Sequence, residues 1–418
     1  MAGGLYFIYQ RMEKYFNNRR RFSLMRANVP FSVAVLIMLV LSGGVLYLLD
    51  NGRDRIAEQA VYTGILINRT EAASTVTVRE DDVARHFSPG PISMALVKSN
   101  GCIADGFLSG YGGRTGEAVN MINRSKCVYL HRALETWLKP PNFEKAFSIM
   151  EEVEKRPIIY GMFLAEAISM RKEYDDPIQE QEHRFDQMCR EGTKGRWGDE
   201  TCIPSIQNVE YRRYLKAVTH RAMDLGIQSF MFGQIQLQDE HPNFEETEIK
   251  KVLDDMRSYA KERDMEIIIG AQTDDVTDER YLKLFDYIEG GVGIDNLGNV
   301  EDQPCFSGHS SCWALLWDKR YSSKANNVLL HLDWSGFTWD DMGVFARMPQ
   351  EKRIETLDRL YKKFTTRKTG FMMPFLAVLN QENNGCYGPN KNFYSPSDKF
   401  KCKDEKYINA IMRDVIVR

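Results

Sequence analysis

The sequence predicts an α/β fold, a (β/α)8 barrel of eight parallel strands, preceded by a single transmembrane helix and a short stem. Three observations predict it. From about residue 92, short runs rich in Ile, Val and Phe alternate with amphipathic helical patterns, as βα units around a parallel sheet do. Eight such repeats fill roughly 320 residues, a reasonable size for a barrel with insertions. Polar residues recur where the apolar runs end, and a buried strand has no structural need for them there.

The strands follow in order. CIADGFLSG (102–110) is the first and CVYLHRALETW (127–137) the second. IIYGMFLAE (158–166), IQSFMFGQI (227–235), MEIIIGAQ (265–272), YIEGGVGI (287–294), NVLLHLDW (327–334) and GFMMPFLAV (370–378) complete the set. The second is ambiguous, because Leu130, Leu134, Trp137 and Leu138 fall at helical spacing. Its neighbours favour a strand. GEAVNMINRS before it reads as a short helix, Cys127 to Leu130 include strand-formers, and PPNFEKAF after it restarts a helix with proline near the first turn. Between the strands lie helical patterns such as VEYRRYLKAVTHRAMDLG, FEETEIKKVLDDMRSYAKERD and EKRIETLDRLYKKFTTRK, and EKYINAIMRDVIVR ends the chain.

Ahead of the barrel, residues 30–49, PFSVAVLIMLVLSGGVLYLL, carry no charge and match the ~20 residues that cross a bilayer. The preceding Arg11, Lys14, Arg19, Arg20, Arg21 and Arg26 put residues 1–29 in the cytoplasm as a basic tail. Residues 50–91 read as a stem, and 92–418 as the barrel domain, extracellular or luminal. The 418 residues include 43% hydrophobic residues, enough for a sizeable core. A formal net charge of −3 gives no concentrated basic face and excludes an electrostatic case for nucleic acid.

All eight cysteines follow the apolar segment, in four local pairs: Cys102 with Cys127, Cys189 with Cys202, Cys305 with Cys312, and Cys386 with Cys402. An even count outside a membrane reads as disulfides, and without a C-x-x-C motif no metal or other cofactor is expected. Cys102 and Cys127 would join the N-terminal ends of neighbouring strands, while the other pairs fall in loops of the C-terminal face. Asn68 and Asn123 are candidate N-glycosylation sites.

The strand ends carry the candidate chemistry: Asp105; His131 and Glu135; Glu166; Gln234 and Gln236; Gln272 and Asp274; Asp295; His331, Asp333 and Trp334; Asn380 and Glu382. Residues two apart share a strand face, so these polar pairs point together, and a barrel mouth is the cheapest place for them. A mouth of carboxylates, amides and histidines, with Trp137, Trp197, Trp334, Trp339 and Tyr111 nearby, suits hydroxyl-rich sugars. Cleaving a glycosidic bond needs two carboxyl groups, one protonating the leaving oxygen. Glu166 and Asp333 end the third and seventh strands, opposite each other, which favours an acid and a water-activating base. Glu135 and then Asp274 are substitutes. His131, Gln234, Gln236, Gln272, His331, Trp334, Asp105 and Tyr111 are expected to bind substrate.

In strand count, strand-end carboxylates and aromatic loops such as DWSGFTWDD, the chain from residue 92 onward resembles the (β/α)8-barrel glycoside hydrolases. The largest group of those enzymes carries glutamates after strands four and seven; here FGQIQLQD and HLDW stand there. The resemblance implies a membrane-anchored, extracytoplasmic glycoside hydrolase acting on a surface or secreted polysaccharide. Two other readings stay open. One is a glycosyltransferase, with the acids of IIIGAQTDD holding a metal-bound nucleotide sugar; the other is a non-catalytic glycan-binding or assembly protein.

Overall fold

The computed structural model describes residues 90–155, 157–172, 174–176, 181–240, 248–273, 276–300, 318–333 and 340–414. The tail, the predicted anchor at 30–49, most of the stem, Asn68, Asp274, Cys305, Cys312, Trp334 and Trp339 lie outside the described residues. Among the described residues no helix is long and apolar enough to cross a membrane.

Eight strand positions, all parallel, form the barrel: β1 (Gly101–Ala104), β2 (Tyr129–Glu135), β3 (Ile159–Leu164), β4 (Ser229–Phe232), β5 (Ile268–Gln272), β6 (Tyr287–Val292), β7 (Val328–Leu332) and β8. The eighth is interrupted at Met372. Its first part, Thr369–Phe371, pairs with β7, and its second, Met373–Val378, pairs with β1 through Cys102↔Met373, closing the ring. Helices cover the outer face of the ring and side chains fill its interior, so both faces of each strand are buried and the strands are continuous apolar runs rather than alternating ones. In β3, β4 and β6 every residue is buried.

The stretch with helical spacing is β2. Its local periodicity misleads because the strand is bulged: Leu130 pairs with Tyr160 and Leu134 with Met162, so His131, Arg132 and Ala133 stand opposite Gly161 alone. Four residues in sequence thus span two positions in the ladder, and an i, i+4 pattern of buried leucines results. Arg132 takes a left-handed backbone at φ 56° to make this possible. Because two residues are absorbed, His131 and Glu135 keep the same facing, as the parity argument requires.

On the helical side, α1 (Met94–Asn100) enters β1 with Ser93 as its N-cap. α2 (Thr115–Arg124), α3 (Phe143–Glu152), α4 (Val209–Asp224) and α5 (Glu248–Glu262) follow β1, β2, β3 and β4. Short turns at Glu279–Leu282 and Lys319–Ser322 follow β5 and β6, α6 (Gln350–Phe364) follows β7, and α7 (Glu405–Ile411) follows β8. Asn142 caps α3 by accepting from Lys145 N. Along α5, Ile249, Val252, Leu253, Met256 and Ala260 form the buried stripe that packs on the sheet.

Inside the barrel, Tyr129, Ser229 and Tyr287 bond to one another at 3.0–3.2 Å, one each from β2, β4 and β6. A layer drawn from alternate strands is how a barrel of this size fills its interior. Gly270 of β5 makes room for the Tyr287 ring; a Cβ there would lie 2.2 Å from it. Three of the predicted disulfides are present, Cys102–Cys127 (Cα–Cα 5.8 Å), Cys189–Cys202 and Cys386–Cys402, the first at the N-terminal ends of β1 and β2 and the others in loops after β3 and β8.

Candidate active site at the C-terminal mouth

Three carboxyl groups meet around one guanidinium where β1, β2 and β3 end. Asp105 follows β1 directly and lies 3.2 Å from Arg132 Nε. Glu135, the last residue of β2, lies 3.7 Å from Arg132 Nη2. Glu166, two residues beyond β3, accepts from Gln234 Nε2 at 2.7 Å. Arg132 Cζ stacks 3.9 Å from the centre of the Phe163 ring, and the β2 bulge aims it there.

All three acids are buried, at 1%, 7% and 3% exposure for Asp105, Glu135 and Glu166, and this sets their proton affinity. Burial pushes the Asp105 carboxyl up to about 7, with Arg132 opposing and Glu135 adding to it. Burial likewise holds Glu135 and Glu166 above the usual carboxylate range, again against Arg132. Tyr111, beside Glu135, is pushed up to about 12 by burial and by that acid. Acids in such surroundings keep a proton to higher pH than exposed ones, as a general acid requires.

Below them runs a second polar group. Glu289, fully buried in the middle of β6, forms an ion pair with His331 Nε2 from β7 and lies 3.7 Å from His131 Nε2 of β2. Burial would raise Glu289, but the two imidazoles outweigh it and hold it below the usual range. Burial would lower His331, but Glu289 outweighs it and holds the ring above its ordinary value; in His131 burial wins and the ring is lowered. His131 also bonds Tyr129 Oη at 2.7 Å, and His331 Nδ1 faces the Leu332 carbonyl at 2.8 Å. Both histidines, expected at the mouth, are thus buried within the barrel's internal network.

The remaining predicted residues divide. Gln234 and Gln272 join the mouth, the Gln234 backbone N–H donating to Gln272 Oε1 at 3.2 Å. Gln236 does not share a strand face with Gln234, because β4 ends at Phe232 and Ile235–Gln238 is a helical turn. Asp333 follows β7 by one residue and is half-buried, four strands round the ring from β3. Trp197 donates its indole N–H to the Glu166 carbonyl at 3.1 Å and meets Trp137 edge-on, ring centres 5.5 Å apart. Asp295 closes a turn by accepting from Leu297 and Asn299 N, and Asn380 does the same for Glu382, so these three serve loop geometry. The side-chain oxygen of Asn123 accepts from Glu154 and Lys155 N, tying α2 to the segment before β3.

Sequence reasoning missed Arg132 and Glu289. Glu289 had a signal, an acid inside the apolar run YIEGGVGI, but it lies mid-strand, away from the strand ends that line a barrel mouth. Arg132 faces inward only because of the bulge. Among the described residues one trio has metal-ligand spacing, Cys386, Cys402 and Asp404, but the cysteines are joined as a disulfide and Asp404 binds Arg353 and Tyr394.

No family model matches the chain, and no curated protein matches it. Solved structures do. A GH113 β-1,4-mannanase aligns over 75% of this chain and 97% of its own, at 10% identity and a TM-score of 0.42. An α-galactosidase from Thermus thermophilus aligns over 80% and 69%, at 13% identity and 0.42, and Eubacterium rectale Amy13B over 78% and 82%, at 11% and 0.41. The likeness is distant and one of fold alone.

Proposed function

We propose that the chain is a carbohydrate-active hydrolase that cleaves a polysaccharide at the C-terminal mouth of its barrel. The observation that carries this is the set of buried carboxyls, Asp105, Glu135 and Glu166, gathered around Arg132, with Asp333 at the end of the strand opposite Glu166. Glu166 is the acid: burial keeps it protonated, and it delivers that proton to the glycosidic oxygen as the bond breaks. Asp333, half-buried and in reach of solvent, takes a proton from the water that attacks the anomeric carbon from the other face. Water thus supplies the new hydroxyl, and the proton lost by Glu166 is replaced through the one gained by Asp333. Trp137 and Trp197, beside Glu135 and Glu166, offer faces for sugar rings.

A second reading has its own support. Glu135 ends the neighbouring strand, level with Phe163, which stands three residues before Glu166, and carboxyls on adjacent strands suit a nucleophile with an acid/base. The anomer first released distinguishes inversion through Asp333 from retention through Glu135. On location, the disulfides suit an oxidising compartment, and we place the barrel outside a membrane crossed by residues 30–49, with the N-terminus cytoplasmic.

The test is release of reducing ends from a panel of polysaccharides. Wild type is expected to release them, and Glu166→Gln and Asp333→Asn to lose at least about a hundredfold in rate while still binding glycan. No release by wild type from any polysaccharide, or full rate in both variants, overturns the proposal.

A further inference from the structure

We propose that the turn Gly233–Gln234 at the end of β4 positions Glu166, with Gly233 leaving the space its carboxyl occupies and the Gln234 amide holding it there. The consequence for rate rests on the hydrolase reading; the positioning can be measured without substrate.

Space comes first. A Cβ on residue 233 would lie 2.2 Å from Glu166 Oε2 and 2.4 Å from the Phe163 ring, so any side chain there takes the volume of the carboxyl. The backbone at this point has little freedom to retreat. Gly233 N donates to the Leu164 carbonyl at 2.9 Å, keeping β4 in register with β3. From the other side, Gln238 Nε2 donates to the Gly233 carbonyl at 2.5 Å.

Grip comes next. Gln234 has φ 33° and ψ 60°, a left-handed conformation that costs a residue with a side chain about 1 kcal/mol or more. That twist ends β4, and the side chain reaches back across to the residue beyond β3. Its Nε2 donates to Glu166 Oε1 at 2.7 Å, and its backbone N–H is occupied by Gln272. Trp197 fixes the Glu166 backbone carbonyl. Glu166 is therefore held at its backbone carbonyl and, through its carboxyl, at Oε1, while the buried Oε2 fills the space over Gly233.

The two effects act on the acid in opposite senses. Burial favours the protonated form, while the residue's own backbone N–H, the charge of Arg132 and the donating amide of Gln234 favour the ionised one. Gln234 thereby contributes to how readily Glu166 gives up its proton. In the largest group of the barrel hydrolases that the sequence resembles, a glutamate ends strand four; here an amide stands at that place, beside the acid of strand three.

The experiment is a titration of the Glu166 carboxyl in full-length protein labelled with carboxyl-13C glutamate, the resonance being assigned by its loss in Glu166→Gln. Gln234→Leu removes the donor and should raise the Glu166 pKa by about one unit. Gln234→Glu sets a second carboxyl within sharing distance and should raise it further, by about two units. Gly233→Ala should raise it as well, by moving the carboxyl off the amide, and should lower kcat by about a hundredfold with KM little changed. Circular dichroism checks the fold of each. If Gly233→Ala fails to fold, the two Gln234 variants carry the test. A Glu166 pKa within about 0.3 unit of wild type in every folded variant overturns the positioning role. If the pKa moves as stated while wild type cleaves no polysaccharide, the positioning stands and the hydrolase reading fails.

Discussion

Replacing Arg132 with methionine removes one cation from among three buried acids and keeps much of the side-chain volume. At about pH 8 Asp105, whose carboxyl is pushed up to about 7, ionises against Arg132, and stripping one partner from a buried ion pair costs about 3–5 kcal/mol. At about pH 5 Asp105 holds its proton, because burial pushes its carboxyl up to about 7, and burial raises Glu135 and Glu166 in the same direction. Arg132 is then a largely buried cation beside a neutral Asp105, and its removal costs less. The sign follows from linkage. Carboxyls with raised native pKa values bind more protons folded than unfolded, so stability falls as pH rises through that window. Arg132 limits the fall by lowering those values, so Arg132→Met makes it steeper and extends it upward. Urea unfolding under non-reducing conditions, followed by circular dichroism at about pH 5 and about pH 8, reads the difference directly. The variant should lose several kcal/mol more at the higher pH. An equal loss at both, or a larger one at the lower pH, would refute the pairing.

Three further outcomes are expected. Asp105→Asn cannot ionise, so it should gain stability relative to wild type as pH rises from about 4 through about 7, the span between the ordinary carboxyl value of 3.8 and the raised one; a difference independent of pH would contradict the burial of that charge. Gly270→Ala drives a methyl group into the Tyr287 ring and should cost about 1–3 kcal/mol, seen as a lowered Tm. Non-reducing peptide mapping should recover Cys102–Cys127, Cys189–Cys202 and Cys386–Cys402, and also Cys305–Cys312 as expected from sequence; free thiols at all eight would remove the case for an oxidising compartment.

The barrel was legible because a parallel strand buried on both faces leaves an unbroken apolar run, and each of the eight runs became a strand position. CVYLHRALETW shows where local reading stops. Its leucines sit four apart, as in a helix, because the bulge spends two residues without advancing the ladder, and only the tally of repeats around the ring outweighs that pattern. The carboxyl cluster of the candidate site was legible where an acid ends a strand, as for Asp105, Glu135 and Glu166. It was not legible where position depends on three dimensions. Arg132 reaches the acids through a left-handed residue inside a strand, and His131 and His331 are drawn down to Glu289, which no strand-end rule would select. Gln236 left the set because its strand stops sooner than its apolar pattern does.

The most direct measurement is a crystal structure of Glu166→Gln with a bound oligosaccharide, read for two distances. The account predicts the glycosidic oxygen within hydrogen-bond reach, about 3 Å, of the residue-166 side chain, and Asp333 facing a water on the far side of the anomeric carbon. A sugar bound away from the C-terminal mouth, or at the mouth with residue 166 out of reach of the glycosidic oxygen, would contradict it.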